Sequence, residues 1–172
     1  MRHFLPALLL TAASPLAAQP DTLFITEHGT TSAYAVVYPS HPGDGDFRLV
    51  GRFAMDTARV AVELDHKRGR PCGLYRAYYP DGRPLIFAVY GYTGLHGDWT
   101  EYDELGRITV KGQYREGLRE GTWAFRAEGI VGHYRKGLRH GKWKYYQNGN
   151  LVREAKYHND KLVKGSEMNM GP

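Results

Sequence analysis

Seven histidines beyond residue 20, one cysteine and a scatter of carboxylates are the side chains of this 172-residue chain that could do chemistry. Their spacing decides which chemistry is open to them. His96 and His140 occupy one recurring slot, immediately before Gly97 and Gly141, and Cys72 and Glu120 stand in the same slot before Gly73 and Gly121. Thiolate, imidazole and carboxylate are the donors of a metal site. Equivalent positions of successive hairpins in one sheet, however, lie two strands apart, about 10 Å, and ligands of one ion must be much closer. The slot reads as a variable surface turn position, and no metal ligand is assigned.

A nucleophile is equally hard to assemble. Cys72 follows Arg70-Pro71, where Arg70 could lower its pKa, and His66 lies six residues upstream, but no third residue or oxyanion motif completes the pair. The adjacent carboxylates Asp103 and Glu104 fall in a turn, where solvent levels them. Asp44-Gly45-Asp46 lacks the alternating carboxylates of a calcium loop. The chain contains no H-E-x-x-H, P-loop, G-x-S-x-G or dinucleotide fingerprint. A single thiol also excludes an internal disulfide and the cysteine sets of zinc fingers and iron–sulfur proteins. The expectation is a protein that is not an enzyme, with no catalytic, cofactor-binding or metal residues, that works by presenting a surface.

The elements that must carry that surface are set by glycine and aromatic residues. The chain has 21 glycines, about 12% where roughly 7% is usual, together with 13 tyrosines and 3 tryptophans. A glycine followed two residues later by a ring recurs at Gly51-Arg52-Phe53, Gly73-Leu74-Tyr75, Gly97-Asp98-Trp99, Gly121-Thr122-Trp123 and Gly141-Lys142-Trp143, and Gly165 is a last member without the ring. The spacings are 22, 24, 24, 20 and 24 residues, and all three tryptophans take the same repeat position. Gly51, Gly73, Gly97, Gly121, Gly141 and Gly165 are therefore expected to be the structural glycines of a repeat.

Each unit from Gly73 onward carries a turn in its middle: Pro80-Asp81-Gly82, Asp103 to Gly106, Ala127-Glu128-Gly129, and Gln147 to Asn150. Gly and Asn tolerate the positive φ of tight two-strand turns, so each unit reads as a β-hairpin. One hairpin of this length is marginal in water, so neighbours must stack to bury their rings. The fold class expected is all-β, an elongated open array of about five stacked hairpins over residues 51–165. The unit starting at Gly121 is four residues short, which predicts a tighter hairpin with a local change of twist.

Between hairpins the linkers repeat as well: Tyr114-Arg115-Glu116-Gly117-Leu118-Arg119-Glu120-Gly121 is matched by Tyr134-Arg135-Lys136-Gly137-Leu138-Arg139-His140-Gly141. The motif Y-x-x-G-L-x-x-G-x-W, followed by a tyrosine and a turn glycine, closely resembles the bacterial variant of the MORN repeat. It is strong from about Gly73 to Gly165 and weaker back to Gly51, roughly two thirds of the chain. What the resemblance implies is a repeat scaffold used in protein association, with a role at phospholipid surfaces. Similar bacterial chains carry an antitoxin-like label, which ranks behind these here because the N-terminus points out of the cytoplasm.

That N-terminus, residues 1–19, reads as a secretory signal peptide: Arg2 and His3, an apolar run from Phe4 to Ala13, then small residues, with cleavage after Ala18 or Gln19. The run is shorter than the roughly 20 residues that span a bilayer. The expected location is the periplasm, the cell envelope or the extracellular space. Residues 20–50 are expected to form an N-terminal β cap or a degenerate repeat, with strands at Leu23 to Thr26, Ala33 to Tyr38 and Phe47 to Val50. Residues 166–172 are expected to be a flexible tail.

The formal charge of +5 conceals a division. Residues 21–106 hold 8 basic and 12 acidic side chains, and residues 107–164 hold 14 and 5. In a linear array this becomes a dipole along the molecule. The basic half interleaves Arg115, Arg119, Arg135, Lys136, Arg139, Lys142 and Lys144 with Trp123, Tyr134, Trp143 and Tyr146, and these are the candidate partner-binding residues. Three readings stay open for them: solvated charges that blunt an open sheet, a surface for an anionic lipid, glycan or acidic protein, and, ranked last because of the leader, nucleic acid. An unknown protein partner is the first expectation, and a homodimer is a further one, since an open sheet leaves edges to cover.

Overall fold

The computed structural model describes residues 21–38 and 44–165. The leader, the tail over 166–172 and residues 39–43 of the first long loop lie outside the described residues. Fourteen strands follow one another: β1 Asp21–Glu27, β2 Thr30–Val37, β3 Phe47–Phe53, β4 Asp56–Lys67, β5 Arg70–Tyr78, β6 Pro84–Gly91, β7 Gly94–Tyr102, β8 Ile108–Arg115, β9 Leu118–Phe125, β10 Ile130–Arg135, β11 Leu138–Arg139, β12 Gly141–Gln147, β13 Asn150–His158 and β14 Lys161–Lys164. They form one antiparallel sheet in which spatial order equals sequence order. β11 stands off this path: it pairs with β10, and the strand is interrupted at His140, whose amide donates to the His133 carbonyl at 2.8 Å. It follows the shortened unit, whose hairpin closes on residues 126–129.

The linkers turn out to be tight turns of the same sheet. Two consecutive residues adopt positive φ at His28-Gly29, Arg68-Gly69, Glu116-Gly117, Lys136-Gly137, Asn148-Gly149 and Asn159-Asp160. That is the two-residue turn whose twist matches the flanking strands. Three of them also tie to the unit before: Gly117 N–H donates to Leu95 O (2.9 Å), Gly137 N–H to Arg119 O (2.9 Å) and Asp160 N–H to Arg139 O (3.0 Å). The chain is thus a continuous meander whose hairpins are joined edge to edge.

Register explains the repeat. Gly73, Gly97, Gly121 and Gly141 lie opposite Tyr90, Tyr114, Tyr134 and Tyr157 on the following strand. Two residues along, Tyr75, Trp99, Trp123 and Trp143 lie opposite Ala88, Gly112, Gly132 and Ala155. Residues two apart share a face, so one face becomes a checkerboard of large rings and small residues. The rings meet edge to face down the sheet: Trp99–Tyr114 at 5.5 Å, Tyr114–Trp123 at 5.0 Å, Trp123–Tyr134 at 6.1 Å, Tyr134–Trp143 at 5.1 Å and Trp143–Tyr157 at 6.0 Å between centroids. This is the favoured geometry for ring quadrupoles.

Gly51 is corrected. Through Val62 it aligns with Ala77 rather than with Gly73, and Leu49, through Leu64, takes the position of Tyr75. A Cβ on Gly51 would come within 2.6 Å of Tyr38 and Val36, so this glycine admits the close approach of the β1–β2 segment. That hairpin joins the sheet through the short pairing Val36–Phe53 and Val37–Arg52, extended by the Ala54 amide donating to the Ala35 carbonyl at 2.8 Å. Its tip lies against the β7–β8 turn, where the His28 amide donates to Glu104 Oε2 at 3.0 Å. Leu23, Ile25 and Val36 are buried with Phe53, Ala61 and Tyr79, and the Tyr79 hydroxyl donates to the Tyr102 carbonyl at 3.0 Å. Gly165 follows β14, and a Cβ there would meet Glu154 O at 2.7 Å.

Candidate interaction surface

The eleven candidate partner-binding residues separate into two groups. Trp123 and Trp143 are corrected as surface residues, being 0% and 5% exposed. Each ring covers a glycine of the preceding strand, and each indole N–H is used internally, Trp123 Nε1 donating to Gln113 O (3.1 Å) and Trp143 Nε1 to His133 O (3.2 Å). Tyr134 is half-buried between the two tryptophans. Arg119 and Arg139 are half-buried, and their side chains are engaged within the ladder. The Arg119 guanidinium lies 4.5 Å over Trp123, 5.3 Å over Tyr134 and 5.4 Å over Phe125, and donates to the Tyr134 hydroxyl at 3.1 Å. Arg139 lies 4.1 Å over Tyr157 and pairs with Asp160 at 3.0 Å. Stacking on rings engages both half-buried guanidinium groups in the ladder.

Arg115, Arg135, Lys136 and Lys142 are exposed, and Lys144 and Tyr146 are half-buried. Tyr146 lines a shallow open cleft of about 600 Å³ with Phe125, Arg126, Ile130, Gln147 and Asn148. Arg115 pairs across its turn with Leu118, and Arg135 with Leu138. Leu118 and Leu138 are exposed at 49% and 40%, and Leu118 packs at the neighbouring turn, 3.4 Å from where a Cβ of Gly137 would stand. Two successive turns on one margin of the sheet therefore present the same arginine–leucine pair, with Lys136 between them. The linker repeat contains both residues, but only the register shows that they are neighbours.

On the sheet face opposite the ladder, Lys142, Lys156 and Lys164 stand directly across from one another on β12, β13 and β14. Lys142 has Glu154 at 3.5 Å, an exposed pair. Like charges directly opposite are unfavourable, so this row is a concentrated positive field. The rings of His140 and His158 lie 5.0 Å apart beside it, a contact the spacing of repeat slots did not reveal.

The ladder face carries one acid among apolar neighbours. Glu101 stands between Ile86 and Val110 and accepts from Trp99 Nε1 at 2.8 Å. Burial pushes its carboxyl above the usual range, against the Trp99 hydrogen bond and the Arg119 charge, which lower it. At the far end Tyr157 titrates below an ordinary tyrosine. Burial works upward on it, and the Tyr145 hydroxyl, Arg153 and Arg139 outweigh that.

The residues tested for chemistry are dispersed. His66 is buried, stacked on Phe47 at 4.5 Å, with Nδ1 3.0 Å from Leu64 O, and lies opposite Pro71. Cys72 is a free, half-buried thiol. Asp103 is engaged in its own turn, accepting from the amides of Leu105 and Arg107. Among the described residues no three His, Cys, Asp or Glu side chains are grouped to hold a metal ion, and no helix is long and apolar enough to cross a membrane.

Comparison with known proteins agrees with this geometry. No curated protein matches the chain. A family model described as the MORN repeat variant matches residues 95–116 and 139–159. The first match begins on β7 and the second on β11, each two residues before a ladder glycine, and each includes the tryptophan that follows it. The first runs through Tyr114 to the next turn, and the second through Tyr157 to Asn159. These two units are similar to the MORN repeat in its variant form.

Proposed function

We propose that this chain is an exported, non-catalytic repeat scaffold that binds a protein partner in the cell envelope. MORN repeats are generally modules that bind proteins or membranes. The observation that carries the protein reading is the margin formed by Arg115, Leu118, Arg135, Lys136 and Leu138. Exposed leucines flanked by arginines, repeated on adjacent turns, provide desolvatable area and forked hydrogen-bond donors together, as a protein interface does. The leader reading supports export. The test is affinity capture from the envelope fraction. A chain with Leu118→Ser, Arg135→Glu and Leu138→Ser keeps its strand signal by circular dichroism and loses the captured partner. Undiminished capture by that folded variant sinks the reading.

The lysine row favours a second reading, recognition of an anionic lipid or glycan. It predicts binding of the chain to vesicles or resin of matching charge that falls steeply between low and physiological salt. Insensitivity to salt rejects it.

A further inference from the structure

Arg153 lies on the ladder face with aromatic neighbours, its charge set beside Tyr145 and Tyr157. Its guanidinium lies 4.6 Å over the Tyr145 ring, yet Nε and Nη2 are buried without a hydrogen-bond partner. Among the described residues no carboxylate lies within ion-pair distance of it; Glu154, the next residue, pairs with Lys142, and Asp160 is held by Arg139. Nε and Nη2 are the two donors on one side of a guanidinium, the fork that fits both oxygens of a carboxylate. The local field has a positive component: with the Tyr145 hydroxyl, Arg153 and Arg139 hold Tyr157 below its ordinary range even though burial opposes this.

The backbone beside Arg153 is open as well. β14 pairs with β13 only from His158 back to Lys156, across from Lys164. From Asn150 to Glu154 the outer edge of β13 has no strand beside it among the described residues, and Leu151 and Val152 there are each 52% exposed. Lysines crowd the covered part of this margin, a common way of blunting an edge. The uncovered part instead carries exposed apolar side chains. Arg153 itself remains partly exposed at that edge.

We propose that the β13 edge from Asn150 to Glu154 is a docking site for an extended segment of a partner protein, one of whose carboxylates is taken side-on by Arg153. Main-chain pairing supplies sequence-tolerant affinity, and the residue opposite Arg153 supplies the choice. A carboxylate at that position lies on the same face as the fork, as any directly opposed pair does in an antiparallel ladder. This rests on the protein-binding reading and adds a second surface, distinct from the arginine–leucine margin.

The probes are two blocked heptapeptides, Thr-Val-Thr-Glu-Thr-Val-Thr and its glutamine counterpart, titrated into the full chain while amide exchange and the arginine Nε–H signals are followed by NMR. The glutamate peptide is expected to slow exchange over residues 150–154 and shift the Arg153 Nε–H, and to bind about tenfold tighter than the glutamine peptide. Arg153→Lys, which keeps the charge and loses the fork, should shrink that preference below about threefold. Equal binding of the two peptides, or protection elsewhere, overturns the proposal. So does silence of the full chain with binding restored by deleting residues 166–172, which assigns the edge to the chain's own Glu167. Envelope capture that persists when the peptides fail leaves the scaffold reading standing and rejects only this edge.

Discussion

The indole of Trp123 lies over Gly112, so closely that a Cβ on that glycine would sit 2.2 Å from the ring. Twenty residues later Trp143 lies over Gly132 at the same 2.2 Å. The glycines that make room for the tryptophans are thus the ones on the return strands, while the glycines two residues before them serve the backbone. Gly121 and Gly141 have φ of +72° and almost no atoms near a hypothetical Cβ.

Gly112→Ala and Gly141→Ala should therefore differ in cost. The first forces the ring aside and should lose about 3 kcal/mol, as overpacking does. The second meets open space and loses about 1 kcal/mol, from the left-handed backbone alone. Denaturant unfolding of both variants checks the order, and an equal or reversed ranking contradicts the packing described.

Trp123→Ala should destabilise the chain by about 4 kcal/mol, the usual range for deleting a buried ring. Arg119→Ala should cost about 1 kcal/mol through lost stacking, and Arg115→Ala, at an exposed strand end, less than about 0.5 kcal/mol. If Arg115→Ala proved as costly as Arg119→Ala, the division between ladder and surface arginines would be wrong.

Glu101 makes stability depend on pH in a defined direction. Its folded-state pKa is raised by burial, so the folded chain binds the proton more tightly than the unfolded one. Stability is then fully favoured below the unfolded carboxylate value and declines as pH rises through the folded one. Glu101→Gln keeps an acceptor for Trp99 and removes the titration. The variant should be more stable than the parent at pH 7, with the gap closing toward pH 4, as thermal unfolding across that range will show.

Lys156→Glu should raise stability by about 0.5 kcal/mol at low salt, since it replaces two directly opposed like-charge pairs with opposite ones. The gain should fade in high salt. A destabilised variant would mean that the lysine row is not the repulsive array its register indicates. The same variant should lose binding to anionic vesicles under the second functional reading.

Much of the fold was written in local chemistry. Positive-φ dipeptides such as Glu116-Gly117 and the period near 24 residues dictate antiparallel hairpins in chain order, because each strand finds its partner across a short turn. The return-strand pairs Gly112-x-Tyr114 and Gly132-x-Tyr134 were also present in the sequence, with Ala88-x-Tyr90 and Ala155-x-Tyr157 as their counterparts. They carry the other half of the checkerboard and escape a search for the entering strand alone. Gly51-x-Phe53 imitates the motif without holding its register.

Which rings and charges face a partner was decided only by the tertiary structure. Trp123, Arg119 and Arg115 look alike in a basic, aromatic stretch, and their fates differ because side chains two residues apart share a face and a strand end is open. The crossing of the β1–β2 hairpin to Glu104 and the place where β14 stops against β13 are likewise non-local. Hydrophobic period and turn chemistry fix neighbours within a meander. They do not fix where its ends fold back or which edge they leave bare.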